Sequence, residues 1–333
     1  MQIVIAGQAV REFSVELAEN EPADWWAFYD VSAFIGQTIR LIALEELLGS
    51  QAAWLSGVIL QSDQILNSAD LYHENYRPQF HFTSRRGWNN DPNGLVYTQG
   101  EWHLYYQHNP FGIRWGNMHW GHAVSQDLIH WTELPEALFQ KSLHDMAFSG
   151  GGLVDIRNSA GLKAGPEDPL VVAFTSTGRG ECLAYSLDRG RTLVEYPHNP
   201  IITHKGRDPK IIWYEPGQHW VLILYEEPFE EGVGSGGHGT ASSFGYAIYT
   251  SPNLKLWSHM NVPSFSKSMS KGSPASKNGS CTAARKTNTT RPTWWVVLME
   301  KSFSPRCNPL RLTRDPAFTR RRSSTMPQTV AIS

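Results

Sequence analysis

Two aspartates stand in matched settings. Asp91 lies in "WNNDPNGLVY" (residues 88–97) and Asp208 in "GRDPKIIWY" (residues 206–214). Each precedes a proline and leads into an apolar run. Asx residues before proline often cap turns with their own side chains, which gives each carboxylate a structural reading. The chemical reading is a pair: glycoside hydrolysis needs two carboxyl groups, one attacking or stabilising the sugar and one donating a proton. Arg207, beside Asp208, favours the ionised form of that carboxyl. An ionised Asp208 suits hydroxyl binding and cation stabilisation, not proton donation.

The stretch between the two aspartates is rich in side chains that could line a site. "YYQHNPFGIRWGNMHWGHAVS" (residues 105–125) holds Gln107, Trp115, Trp120 and three histidines. His119 and His122 raise a metal reading, but the run reads as strand and loop and no third ligand has the usual spacing, so no metal and no cofactor is expected. Glu181 in "RGECLAY" offers an acid, yet its place at the start of a strand predicts a surface carboxylate. Aromatic residues make up 12% of the chain, with 13 Trp. Such rings either pack on sugar faces or fill sheet cores. The three cysteines form no CxxC pair, which argues against both a zinc site and a disulfide framework.

These residues need strands to hold them. "LVYTQGEWHLYYQHNP", "LVVAFTSTGRGECLAYSL" and "KIIWYEPGQHWVLILYEE" each read as two β-rich runs around a turn. A longer repeat overlies the hairpins. "HAVSQDLIHWTELP", "LAYSLDRGRTLVEYP" and "AIYTSPNLKLWSHMN" place Ala123, Ala184 and Ala247 at equivalent positions, 61 and 63 residues apart. A fixed period of this kind predicts repeated sheets, most simply propeller blades; it is longer than that of WD40 or kelch blades. No stretch has sustained helical periodicity, so the predicted fold class is all-β.

Three segments follow from the patterning. Residues 1–75 read as a small β-rich N-terminal module, with "QIVIA", "REFSVELA" and "WWAFYDVSAFIG" alternating as strands. Residues 76–263 carry the blades. Residues 264–333 hold 13 Lys/Arg against two Asp/Glu and lack alternating apolar residues, a composition that does not bury a core of its own. That tail reads as the product of a truncated or frame-disrupted C-terminal third rather than as a nucleic-acid arm, since basic and aromatic residues are not interleaved. No nucleic-acid partner is expected. No membrane partner is expected either, since no apolar run reaches the ~18 residues of a span. The start shows no signal peptide. Oligomeric state is not legible.

Together the motifs resemble those of glycoside hydrolase family 32, the β-fructosidases that include invertases, inulinases and levanases. "WNNDPNG" resembles the family's WMNDPNG motif, "RDPK" its RDP motif, and "QHNPFGIRWGNMHWGHAVSQDLIHW" and "FSG" its intervening pocket segments. The resemblance runs from about Arg77 to Met260. It implies a five-bladed β-propeller and retaining hydrolysis of terminal β-fructofuranosyl residues of a fructan or sucrose. It also implies Asp91 as nucleophile, and Asp208 as transition-state stabiliser helped by Arg207. Trp88, Asn90, Gln107, Trp115, Phe148 and Ser149 would line the fructose subsite. The family's general acid is the Glu of an ECPD-like motif some fifty to sixty residues beyond RDP. Here that window, "WSHMNVPSFSKSMSKGSPAS" (residues 257–276), contains no carboxylate. At about 62 residues per blade, residues 77–263 supply about three blades of five.

Overall fold

The computed structural model describes residues 1–15, 26–43, 59–66, 68–204, 206–226 and 245–260, and the backbone of 329–331. The chain divides into two compact units, 1–267 with 326–333, and 268–325. The second lies outside the described residues, as does nearly all of the basic tail.

Sixteen strands are described, and they build four antiparallel sheets. Three sheets have the same form and follow one another in the chain. The first contains β4 (Trp88–Thr98), β5 (Glu101–Asn109), β6 (His119–Ser125) and β7 (Trp131–Leu138). The second contains β8 (Ala147–Val154), β9 (Leu170–Ser176), β10 (Gly180–Ser186) and β11 (Val194–Glu195). The third contains β12 (Gly206–Tyr214), β13 (His219–Glu226), β14 (Gly245–Ser251) and β15 (Ser258–His259). In each, the strands pair in sequence order, and the first strands β4, β8 and β12 lie side by side. These are consecutive propeller blades, as the 61- and 63-residue repeat predicts.

The repeat has a physical cause. Ala123, Ala184 and Ala247 fall on the third strand of each blade, and all three are buried between sheets. Ser125 and Ser186, two residues on, and Ser251, four residues on, hold the next turn. Each hydroxyl donates to an Asx two residues ahead, namely Asp127 (3.1 Å), Asp188 (2.6 Å) and Asn253 (3.3 Å). Each hydroxyl oxygen also accepts that residue's own backbone N–H. Leu128, Arg189 and Leu254 then take the left-handed conformation at φ 65°, 60° and 63°. One hydroxyl thus replaces the turn's missing backbone partners three times over. The β4–β5 hairpin also folds as read: Gln99 (φ 49°) and Gly100 (φ 86°) make a two-residue turn with both φ positive, the form that matches strand twist.

Glycines set the spacing between blades. A side chain on Gly152 would meet Val96 Cγ2 at 2.9 Å in β4, and one on Gly151 would meet the Pro209 carbonyl at 3.3 Å in β12. Two apolar cores lie between the blades. Tyr105, Trp120, Val172 and Phe174 anchor the first; Val171, Leu183, Leu222 and Leu224 anchor the second.

The N-terminal residues form β1 (Gln2–Ile5), β2 (Gln8–Glu12) and β3 (Ile39–Ile42), joined at the edge by β16 (Thr329–Ala331). "QIVIA" is a strand as predicted. "WWAFYDVSAFIG" is not: from residue 26 it is irregular, with a 3₁₀ turn at Ser32–Phe34. Asp30 accepts the Ser32 N–H at 2.8 Å, a local bond that competes with a sheet ladder, and Tyr29 stacks on Phe13 and Phe111 instead. These N-terminal residues pack on the first blade. Ser14 exchanges backbone bonds of 2.8 and 2.7 Å with the Asn117 side chain, and Gln140 donates to the Glu12 carbonyl. Asn117 also donates to Asn109 Oδ1 at 3.0 Å. Asn117→Ala is therefore expected to cost about 2–3 kcal/mol in urea unfolding, at about 1 kcal/mol per hydrogen bond plus the orphaned Ser14 groups. An unchanged urea midpoint would show that the contact carries no stability.

Candidate active site

The site is built from a defect repeated in all three first strands. In β4, Asn89 pairs with His108 and Pro92 with Tyr106, so Asn90 and Asp91 together oppose Gln107. In β8, Ala147 pairs with Ser176 and Gly150 with Phe174, leaving Phe148 and Ser149 opposite Thr175. In β12, Arg207 pairs with Tyr225 and Lys210 with Ile223, leaving Asp208 and Pro209 opposite Leu224. Each is a β-bulge, which re-aims the side chains of the extra residue. The Asn-Asp-Pro-Asn-Gly segment is thus a bulged strand and not a turn ahead of one. The strand begins at Trp88, and proline is tolerated there because the ladder is already interrupted.

The bulges bring Asp91, Ser149 and Asp208 to neighbouring strand ends. Ser149 Oγ donates to Asp91 Oδ2 at 2.8 Å. Asp208 sits at φ 61°, and its backbone N–H donates to Thr175 Oγ1 at 3.0 Å. Arg207 Nε stands 3.4 Å from Asp208 Oδ2, with its guanidinium over the Tyr225 ring. Partial burial pushes the Asp208 carboxyl up; Arg207 opposes this and the negative charge of Asp91 adds to it. The expectation that Arg207 lowers this carboxyl holds in sign, but desolvation outweighs it. With 46% of the Asp208 side-chain surface open, solvent screens these influences. Asp91 and Asp208 stand on the bulges of β4 and β12, the two strands that flank β8.

The other predicted residues fall around this pair. Trp88 Nε1 donates to Asn90 Oδ1 at 2.9 Å, which ties two of them together beside Asp91. Trp115 meets Phe148 edge to face at 6.0 Å, and Trp120 Nε1 holds the Phe148 carbonyl at 3.0 Å. Gln107 is buried, and its amide donates to the Ala147 carbonyl at 2.9 Å, so it joins β5 of one blade to β8 of the next. Trp115 is held by a loop whose Asn109 and Asn117 bonds reach back to the N-terminal residues.

One reading of the sequence changes. Glu181 is not on the surface: it is 0% exposed, accepts Thr175 Oγ1 at 3.0 Å, and lies 2.9 Å from His204 Nε2. Burial pushes its carboxyl up, against the lowering effects of His204 and Thr175. His119 and His122 do not meet: His122 stacks on Tyr105 and bonds His103, while His119 bonds the Asn117 carbonyl between Phe111 and Phe139. An odd separation on a strand sends side chains to opposite faces. Thr175 and His204 went unread in the sequence. Thr175 looks like any β-branched strand residue, and its role depends on register.

Two carboxylates and an arginine stand on first strands of successive propeller blades, and the class of protein this fold matches is the glycoside hydrolases. The chain belongs to glycosyl hydrolase family 32, whose N-terminal domain model matches residues 81–273. That match runs somewhat past Met260, where the motifs end. The chain is 45% identical over 198 residues to the levanase of Bacillus subtilis strain 168, covering 57% of this chain and 27% of that one. It is 36% identical over 217 residues to the extracellular exo-inulinase of Aspergillus awamori, covering 56% and 38%. The crystal structure of exo-inulinase from Aspergillus awamori aligns at a TM-score of 0.48 and 35% identity, over 56% of this chain and 40% of that one. The chain thus spans well under half the length of these relatives.

Proposed function

We propose that this site belongs to a retaining glycoside hydrolase acting on terminal β-D-fructofuranosyl residues of levan, inulin or sucrose. The observation that supports the reading is the matched bulges that carry Asp91 on β4 and Asp208 on β12, with Ser149 of the intervening β8 bonded to Asp91. Asp91 is open to solvent, and its other oxygen is left to attack an anomeric carbon. Asp208 with Arg207 supplies fixed charge beside the fructose ring, where positive charge develops in the transition state. Trp88, Asn90, Trp115 and Phe148 form the wall, and Gln107 fixes the backbone between Asp91 and Ser149. The levanase, inulinase and invertase relatives support this substrate class.

A retaining mechanism needs a proton donor about 5–5.5 Å from the nucleophile. Residues 257–276 contain no carboxylate, and Glu181 is sealed behind Thr175. We therefore infer that this chain alone binds terminal fructose and turns it over at least about a hundredfold below ordinary glycosidase rates, since general acid assistance contributes about 10²–10⁴-fold. The same feature favours a second reading, a non-catalytic fructan-binding or regulatory protein. Incubation with sucrose and levan is expected to release little fructose, while calorimetry with 1-kestose shows binding that Asp91→Ala weakens. Release at ordinary rates, abolished by Asp91→Asn, would sink the claim of a missing acid.

A further inference from the structure

Asp208 is held by an arrangement that neither motif explains. Its left-handed conformation is unfavourable for a residue with a Cβ, and its backbone N–H is anchored on Thr175 Oγ1 at 3.0 Å. Thr175 can accept that proton only if its own hydroxyl hydrogen points elsewhere. It does, toward Glu181, whose Oε1 and Oε2 lie at 3.0 and 3.1 Å. Glu181 is in turn held by His204 Nε2 at 2.9 Å, and the pair is almost wholly buried. His204 reaches it by folding over Gly206, where any side chain would strike the imidazole at 2.5 Å.

We propose that Thr175, oriented by the buried Glu181–His204 pair, is the positioning residue that locks Asp208 into its ligand-facing conformation. The three groups come from the second blade and the segment leading into β12, so the lock joins two blades at the site. Gln107 does the same work one blade earlier, holding the Ala147 carbonyl beside Ser149. The proposal rests on the fructose reading for its ligand but not for its geometry.

The test uses the full chain, with 1-kestose binding by calorimetry and amide exchange at Asp208 by NMR. Thr175→Val keeps the shape and removes the acceptor. It is expected to weaken 1-kestose binding about tenfold or more and to speed Asp208 exchange by a similar factor, with Ile212 and Trp213 unchanged. Thr175→Ser restores both to within about threefold, because the hydroxyl returns. Glu181→Gln, which leaves Thr175 in place, gives the same changes at smaller size and decides the matter if Thr175→Val does not fold. A general loosening of the sheet would instead raise exchange at all three amides. Wild-type protection and affinity in Thr175→Val overturn the lock. If the wild-type chain does not bind 1-kestose, the fructose reading fails, and exchange at Asp208 alone still tests the lock.

Discussion

Gly150→Ala is expected to remove at least about 3 kcal/mol of stability and to empty the site. A Cβ there would stand 1.9 Å from the Ala173 carbonyl oxygen, 2.8 Å from its carbon and 2.9 Å from Phe174 Cα. All three are backbone atoms of the paired strand β9, so no side chain can move aside. The strands must part by more than an ångström, which breaks the ladder at the bulge. Overpacking in a filled core costs about 1–3 kcal/mol, and contact with backbone lies at or beyond that upper end. Ser149, the next residue, loses its aim at Asp91 in the same movement. Gly165→Ala is the control, because nothing stands within 4 Å of its added methyl. Urea unfolding should separate the two by most of the predicted loss. Equal midpoints would mean that the blade accommodates the methyl.

Stability is expected to fall steeply as pH drops below about 6.5, through three buried histidines. His103 faces Glu101, Arg189, Arg191 and His122; His122 faces His103 and Arg191; His119 faces Glu136, His108 and Arg11. Burial is the largest influence on each and lowers its pKa, to about 4 for His119. In the unfolded chain each titrates near 6.5. Below that pH the unfolded state takes up protons that the folded state refuses, so stability is lost with falling pH. His119 alone accounts for on the order of 3 kcal/mol between pH 6.5 and 4, at about 1.4 kcal/mol per pH unit. Urea midpoints at pH 7.5, 6 and 5 measure the slope, which His119→Gln should flatten. A midpoint constant from pH 7.5 to 5 would rule the histidines out as the cause.

Much of this architecture was legible because it is periodic. Ala123, Ala184 and Ala247 announced the blades, and a Ser-x-Asx turn follows each of them within a few residues. The candidate site was legible as motifs: Asp91, Ser149 and Asp208 sit on equivalent bulges. The bulges themselves were not legible, since an inserted residue leaves no mark when the partner strand is unknown. Glu181 was misread for a related reason. A carboxylate at a strand start is ordinarily solvated, and only the fold brings Thr175 and His204 around it. Residues 26–36 failed because alternation alone does not separate a strand from an irregular segment stacked through Tyr29.

The three matched bulges stand on strand backbones that are paired on one side and held close on the other, where Gly151 and Gly152 of β8 admit β12 and β4. Polar groups carried on such backbones are fixed before any ligand arrives. For the terminal fructose proposed above, little ordering entropy is then charged to the complex.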